Sequence, residues 1–464
     1  MKSAHVFAVV TLLWALIFLP GLGSTEIKGE EGRRILPAVA MLEMGGWIVP
    51  QINGQPYLRK PPLVNWAIAF SMKALGARNE WTARVPSALA VLALVLATVA
   101  MVIPWRGAET ALIAALAMMT NLGLLEKGRL AEIEAIYISL SGIAIVCWMS
   151  FWAQKKSPWL IWTVPFVFLG LAALAKGPLH LLFFYAIAVP VLWRAREMRE
   201  LARPPHIIGL LVMVAIFSTW LIPYRHATAH LNATAVWMKQ MEERVGGGGI
   251  NIASVFVNLP RGVANFLPWV LLLPLLWKSE PLERLPERDA LIVRATRWPL
   301  VICFFALLLI PGMLPRYTLP MLAPTSVVLA IVLQVRFAER ARKWSLGAAA
   351  VAAIAMCVYA LLIVPHVNAE ANVRGFGEKV DAAVPGGEPL YVFDCGFLPE
   401  LFYVKSHCVY AQTTHDLPDT GGIVLTRLSS KNKLQRMWPE TRSLAELQDK
   451  NKNAFFVLQL RRKL

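Results

Sequence analysis

Residues 84–104 read RVPSALAVLALVLATVAMVIP, a run of 21 residues whose single charge, Arg84, stands at its head. About 20 mostly apolar residues are enough for an α-helix to cross the hydrocarbon layer of a bilayer. Working outward, runs of the same kind stand at 4–22, 108–125, 134–153, 158–175, 178–193, 206–224, 263–277, 298–313, 317–335 and 345–365. The composition agrees. The chain of 464 residues is 57% hydrophobic and only 16% charged, with a mean hydropathy of +0.54, whereas a soluble protein has about a quarter of its residues charged. The sequence therefore predicts a polytopic α-helical membrane protein of about 11–13 spans, with a membrane part over 1–367 and a small C-terminal α/β domain over 368–464.

The net charge of +17 does not point to nucleic acid, because the cations fall in short clusters between the apolar runs. With the N-terminus inside, the inner loops collect Arg106; Lys155 and Lys156; Arg194, Arg196, Arg199 and Arg203; a group from Lys278 to Arg297; and another from Arg336 to Lys343. The short outer loops hold only Lys127, Arg129, Lys176 and Arg316. This asymmetry fixes orientation by the positive-inside rule, and an odd number of spans leaves the tail outside. The apolar run at 6–19 has the look of a signal peptide, but no small-x-small cleavage site precedes Thr25. It reads as an uncleaved first span.

Three outer pieces follow from that topology. The loop 23–82 carries two helical segments, 31–44 and 63–75, too short to span and expected along the interface. The loop 225–262 contains four consecutive glycines at 246–249, a candidate flexible lid. In the tail, 389–393, 408–411 and 422–425 read as strands, and 398–405, 429–437 and 443–450 as helices. Cys395 and Cys408 are in the tail, where an oxidising compartment would allow them to pair. Cys147, Cys303 and Cys357 fall in apolar runs and read as buried thiols.

The polar residues at the outer boundary carry the functional reading. Lys28-Gly29-Glu30-Glu31-Gly32-Arg33-Arg34 sets two carboxylates beside two arginines, able to keep one acid ionised as a base with cations ready for phosphate. The same stretch also reads as a solvated loop start whose acid caps the next helix. Pro50-Gln51-Ile52-Asn53-Gly54-Gln55-Pro56-Tyr57-Leu58-Arg59-Lys60-Pro61-Pro62 predicts a turn and then a stiff extended segment. Its Arg59 and Lys60 suit either lipid headgroup anchoring or anion binding. Glu134 opens an apolar helix, where a carboxylate is costly unless paired or used. Lys176-Gly177-Pro178 and Arg316-Tyr317 mark the same boundary. Span interiors are almost free of charge, which favours a reaction site at the interface over a transporter's charged pathway. A lipid or small-molecule transporter is the rival reading.

At these residues the sequence resembles the polyprenyl-phosphate-dependent glycosyltransferases of the GT-C fold, in particular the bacterial aminoarabinose–lipid A transferases, relatives of the protein O-mannosyltransferases. The resemblance is densest over 26–90. It runs through Glu30-Glu31-Gly32-Arg33-Arg34, Met44-Gly45-Gly46-Trp47-Ile48-Val49-Pro50, Asn53 to Leu63, and Trp81-Thr82-Ala83-Arg84-Val85-Pro86-Ser87. Weaker matches lie at Leu174 to Pro178, Phe266-Leu267-Pro268-Trp269 and Arg316 to Pro320. The resemblance implies a sugar carried on a long isoprenoid phosphate and handed, with inversion, to a glycolipid such as lipid A, a polysaccharide or a protein outside a bacterial inner membrane. It implies catalytic roles for Glu30, with Glu31 beside it, and for Glu134. It implies donor phosphate binding by Tyr57, Lys60, Arg33, Lys176, Arg316 and Tyr317. Two departures stand out. The first acid is glutamate where the family usually has aspartate, and Arg59 stands where the aminoarabinose branch has a glutamate that helps bind a metal. The second departure speaks against a bound metal.

Overall fold

The computed structural model describes residues 2–232, 235–239, 242, 252–310, 313–449 and 451–461. Two compact units make up the chain. One comprises Met1–Leu22, Leu58–Val64 and Arg84–Val358; the other comprises Gly23–Tyr57, Asn65–Ala83 and Tyr359–Leu464.

The first unit is helical. Seven helices among the described residues are long and apolar enough to cross a membrane: Glu80–Arg106, Ile133–Ala153, Pro158–Lys176, Pro204–Ala227, Glu287–Leu309, Pro315–Phe337 and Glu339–Ala369. Each coincides with an expected run, and the chain is a multi-pass membrane protein. Three other expected runs form shorter apolar helices: Ser3–Phe18, Ala108–Met119 and His180–Arg194. The expected span at 263–277 is not a single rod. Val255–Ala264 and Trp269–Trp277 meet at a bend of 88°, where Pro260, Pro268 and Pro274 each withhold a backbone donor. The expected span at 298–313 begins much earlier, at Glu287, because its charged first turns find partners. Arg106 Nη1 donates to Asp289 Oδ2 at 2.7 Å, and Trp105 Nε1 donates to Asp289 Oδ1 at 2.8 Å.

Burial sorts these helices into inner and outer ones. Ile133–Ala153 and Pro315–Phe337 are 89% buried over their apolar windows, whereas Pro204–Ala227 and Glu339–Ala369 are only 17% buried. The outer pair shows exposed Leu211, Val214, Ile222, Val351 and Ile354, which is the face lipid covers. A polar clamp anchors the first helix. Arg129 Nη1 donates to the carbonyls of Ile17 at 2.9 Å and Phe18 at 2.8 Å, and Nη2 to that of Pro20. Those are among the last carbonyls of Ser3–Phe18 and just beyond, groups that helix geometry leaves without partners. Gly128 permits this approach, since a Cβ there would lie 2.5 Å from Phe18 and 2.8 Å from the Leu124 carbonyl.

The second unit joins the first loop to the tail. Its loop half holds the helix Gly32–Met44 and a small hairpin, strands β1 (Gln51–Ile52) and β2 (Gln55–Pro56). Asn53 and Gly54 turn the hairpin with φ of 52° and 72°, the pair of positive values that makes Asn-Gly the favoured two-residue turn. The tail half is a five-stranded sheet: β3 (Leu390–Phe393), β4 (Cys408–Ala411), β5 (Gly422–Arg427), β6 (Arg442–Gln448) and β7 (Ala454–Leu460). The strand order is β4-β3-β5-β7-β6. β3 runs parallel to β4 and β5, while β7 runs antiparallel to β5 and β6. The three expected strands are present, and the expected α/β character holds. The segment 443–450, expected as a helix, is instead strand β6, and both β7 and the helix Val373–Ala383 are additions. Cys395 and Cys408 are free thiols; Cys408 is level with Leu390, at the opposite end of β3 from Cys395.

Loop and tail are tied by polar contacts that are part-buried or exposed. The Glu26 carboxylate accepts the Val373 N–H at 2.6 Å and the Arg374 N–H at 3.1 Å, capping the helix Val373–Ala383. Tyr403 Oη donates to Glu80 Oε1 at 2.9 Å, and Arg374 Nη2 donates to the same oxygen at 2.7 Å. Gln412 Nε2 donates to the Asn53 carbonyl at 2.9 Å. The compact units accordingly divide the chain differently from the expected boundary at 367/368: the tail shares its unit with most of the first loop.

Candidate active site

Glu134 lies in the first turn of the helix Ile133–Ala153, where the positive end of the helix dipole favours a carboxylate. Its side chain is 6% exposed. Lys176, the last residue of Pro158–Lys176, places a cation at a helix C-terminus, again with the dipole. Gly177, at φ 102°, stops that helix at once. A third element, the 3-10 turn Pro315–Met321, supplies Arg316 and Tyr317.

These elements converge on one oxygen. Lys176 Nζ donates to Glu134 Oε1 at 3.0 Å, and Arg316 Nε forms an ion pair with the same atom at 3.3 Å. Lys176 also stands over two aromatic faces, 4.4 Å from the Tyr317 ring centre and 5.1 Å from that of Tyr137. A second pair lies next to this one in sequence: Lys127 Nζ donates to Glu132 Oε2 and Glu126 Oε1, both at 2.9 Å. Burial works to lower the Lys127 pKa, but Glu132 and Glu126 outweigh it and hold the ammonium above its usual range. Burial pushes the Glu132 carboxyl up, against the pull of Lys127.

The sharing of one Glu134 oxygen by two cations is the chemically useful fact. One carboxylate oxygen faces two cations in a largely buried site where Coulombic forces are strong, and the Lys127–Glu132 pair lies within electrostatic reach. Arg316 is the more open of the two cations, at 24% exposed against 7% for Lys176.

Among the expected site residues, the structure thus brings together Glu134, Lys176, Arg316 and Tyr317. Lys60 is half-buried on the segment 58–64 of the same unit, just after Leu58, whose carbonyl accepts Trp237 Nε1 at 2.5 Å. Glu30, Glu31, Arg33 and Tyr57 belong to the other unit. There Arg33 Nη1 spans both Glu30 oxygens, at 3.3 and 3.4 Å, and its guanidinium lies 5.1 Å from the Phe397 ring centre. Glu31 is fully buried. Its Oε2 accepts the Lys28 N–H at 3.0 Å and so closes the turn before the helix; the expected side-chain cap on the helix Gly32–Met44 is not formed by this N-cap residue. Glu30 is the open member of the acid pair, with its side chain 34% exposed. Tyr57 packs under Arg34, 5.4 Å from guanidinium to ring centre. Tyr137 was not singled out by the sequence, although its i+3 spacing from Glu134 puts both on one helix face. The glycines at 246–249, expected as a lid, lie outside the described residues.

Comparison with solved structures decides the fold. ArnT from Cupriavidus metallidurans bound to undecaprenyl phosphate superposes with a TM-score of 0.75, covering 98% of this chain and 97% of that one at 16% identity. Its apo form gives 0.73 over the same shares. The chain has the GT-C fold. Its sequence relatives agree: residues 59–222 match the family described as dolichyl-phosphate-mannose-protein mannosyltransferase. The undecaprenyl phosphate-alpha-4-amino-4-deoxy-L-arabinose arabinosyl transferases of Erwinia tasmaniensis and of Enterobacter sp. are 27% and 28% identical, each over 71% of this chain. This GT-C chain spans about 60% of the length of those two relatives.

Proposed function

We propose that this GT-C chain is a membrane glycosyltransferase that moves a sugar from a polyprenyl phosphate to an extracytoplasmic acceptor such as lipid A or another glycolipid. The observation that carries the reading is the buried Glu134 carboxylate shared by Lys176 and Arg316, beside Tyr317. A polyprenyl-phosphate sugar is a phosphodiester with one negative charge, and breaking its glycosidic bond leaves a phosphate monoester carrying a second. Cations already in place stabilise that growing charge more than the starting one, which is what accelerates a reaction. In this reading Arg316 and Lys176 meet the phosphate, Glu134 holds the two apart and oriented, and Tyr317 lines the approach. Lys60, Tyr57 and Arg33 are further candidates for phosphate contact.

Transfer with inversion needs a base for the acceptor hydroxyl as it attacks the anomeric carbon. Glu30, part-exposed beside Arg33, is the proposed base. The cation asymmetry of the loops supports a bacterial inner-membrane protein with this chemistry on the periplasmic side. The charged groups of the Glu134 site stand at helix ends rather than in mid-span, which gives the transporter reading no support. The test is direct. Purified protein is incubated with labelled undecaprenyl-phosphate sugars and membrane glycolipids, and label is followed into the acceptor. Transfer that depends on both Lys176 and Arg316 is the expected result. Movement of intact donor across liposomes with no new glycosidic bond overturns the proposal.

A further inference from the structure

The helix Ile133–Ala153 has a second polar end. It closes with Lys155 in the left-handed region at φ 54°, its N–H on the Trp152 carbonyl at 3.1 Å and the Lys156 N–H on that of Phe151 at 3.0 Å. Helices commonly end on a left-handed residue, but that residue is usually glycine, sometimes asparagine, since a Cβ is strained there. Three residues after Lys155, Pro158 opens the next helix. The lysines are therefore held on a connection only four residues long, 154–157.

Lys155 and Lys156 are exposed, and among the described residues neither has an acidic partner. Both line a cavity of about 210 Å³ together with Trp152, Arg288, Glu197 and Glu200. The two carboxylates are already occupied. Glu197 takes Arg288 Nη2 at 2.7 Å and Trp152 Nε1 at 2.8 Å, and Glu200 pairs with Arg203. Arg288 in turn donates to the Trp152 carbonyl at 2.6 Å and stacks 4.4 Å from its ring centre. The cavity thus presents two uncommitted ammonium groups against a fixed aromatic wall. Just beyond it, Trp159 and Leu160 are 51% and 44% exposed, a mark of the membrane–water boundary.

We propose that this cavity binds the phosphate head group of an anionic phospholipid. Basic pockets between transmembrane helices are built to hold such head groups. A lysine pair that served only to orient the loop would need neither a cavity nor a strained backbone at Lys155. At about 1.5 Å per residue, the 21-residue helix sets this end roughly 30 Å from Glu134. The site is separate from the Glu134 cluster and does not rest on the proposed transfer reaction.

The test uses the full-length protein in detergent, with retained lipid read by native mass spectrometry and thermal stability by unfolding. Phosphatidylglycerol binds and raises Tm in the natural protein, while phosphatidylcholine does so much less. The double substitution Lys155→Gly with Lys156→Ser lowers phosphatidylglycerol affinity about thirtyfold. The glycine relieves the left-handed position, so the lipid-free variant is no less stable than the natural protein, which separates lost binding from lost folding. Competition by glycerol phosphate supports the proposal and identifies the phosphate itself as the recognised group. Binding without such competition supports it and assigns a share of the affinity to the acyl chains. Equal affinity in the natural protein and the double variant overturns it, as does a failure to prefer phosphatidylglycerol over phosphatidylcholine.

Discussion

At the scale of single residues, Glu134 binds the helical unit's candidate site together. Removing one partner of a buried ion pair typically costs about 3–5 kcal/mol because the other charge is left stranded. Glu134→Ala removes the carboxylate that Lys176 and Arg316 share, so the variant should unfold at a clearly lower temperature, and added inorganic phosphate should recover part of the loss. No phosphate effect on the variant's Tm would remove the anion-binding reading of those cations. Glu30 is the contrasting case. It sits a third exposed in a single ion pair with Arg33, so Glu30→Gln should leave Tm nearly unchanged. As the proposed base it should nonetheless lower the transfer rate by about 10²–10⁴-fold. Full activity in that variant would assign the base elsewhere.

At the scale of elements, the first loop's hairpin is the most sharply specified piece. Gly54 has φ 72°, and a Cβ there would meet Tyr410 Cβ and Gln412 Nε2 at 2.9 Å. Gly54→Ala should therefore loosen the hairpin from the sheet, seen as faster proteolysis between residues 45 and 60. Unchanged cleavage would show that the strand ends of the tail do not hold the turn. Glu26→Ala removes the cap of Val373–Ala383, a loss worth about 1–2 kcal/mol for a side-chain cap. Hydrogen exchange in 373–376 should quicken while that in β5 and β7 stays slow.

The elements also show why parts of the fold were legible and others were not. Asn53-Gly54 between Pro50 and Pro56 carries its turn in its own chemistry, and the strands β3 to β5 are short apolar runs bounded by turn residues. Strand β6 is different. Its Leu444-Ala445-Glu446-Leu447 are all good helix formers, yet pairing with β7 over Arg442 to Gln448 prevails, as tertiary context often does over local preference. The bent pair near Pro268 reads as a span by hydropathy alone, which counts apolar residues and ignores lost donors. For the candidate site, Glu134, Lys176, Arg316 and Tyr317 were visible as polar residues at the ends of apolar runs. Tyr137, masked inside such a run, was not.

At the scale of the whole molecule, the run-length signal locates the helices but carries no information on the contacts that join the first loop to the tail. Glu26 and Val373 are 347 residues apart in sequence, and no local pattern announces such a pair. Topology, by contrast, follows from the loops and can be checked. Single cysteines introduced at Leu122 and at Ser157, both exposed and at opposite ends of Ile133–Ala153, should react with impermeant reagents from opposite sides of the membrane. Labelling of both from one side would refute the span assignment of that helix.

The long tie between Glu26, Glu80 and the helix Val373–Ala383 has a consequence in time. Ribosomes add about 5–20 residues per second, so the roughly 290 residues between the loop and that helix take on the order of 15–60 s to appear. Throughout that interval Glu26 and Glu80 wait without the partners they end up with, and the hairpin has no sheet to rest against. A nascent chain paused before codon 373 would leave that loop open to proteases and chaperones, and release of the pause would close the window.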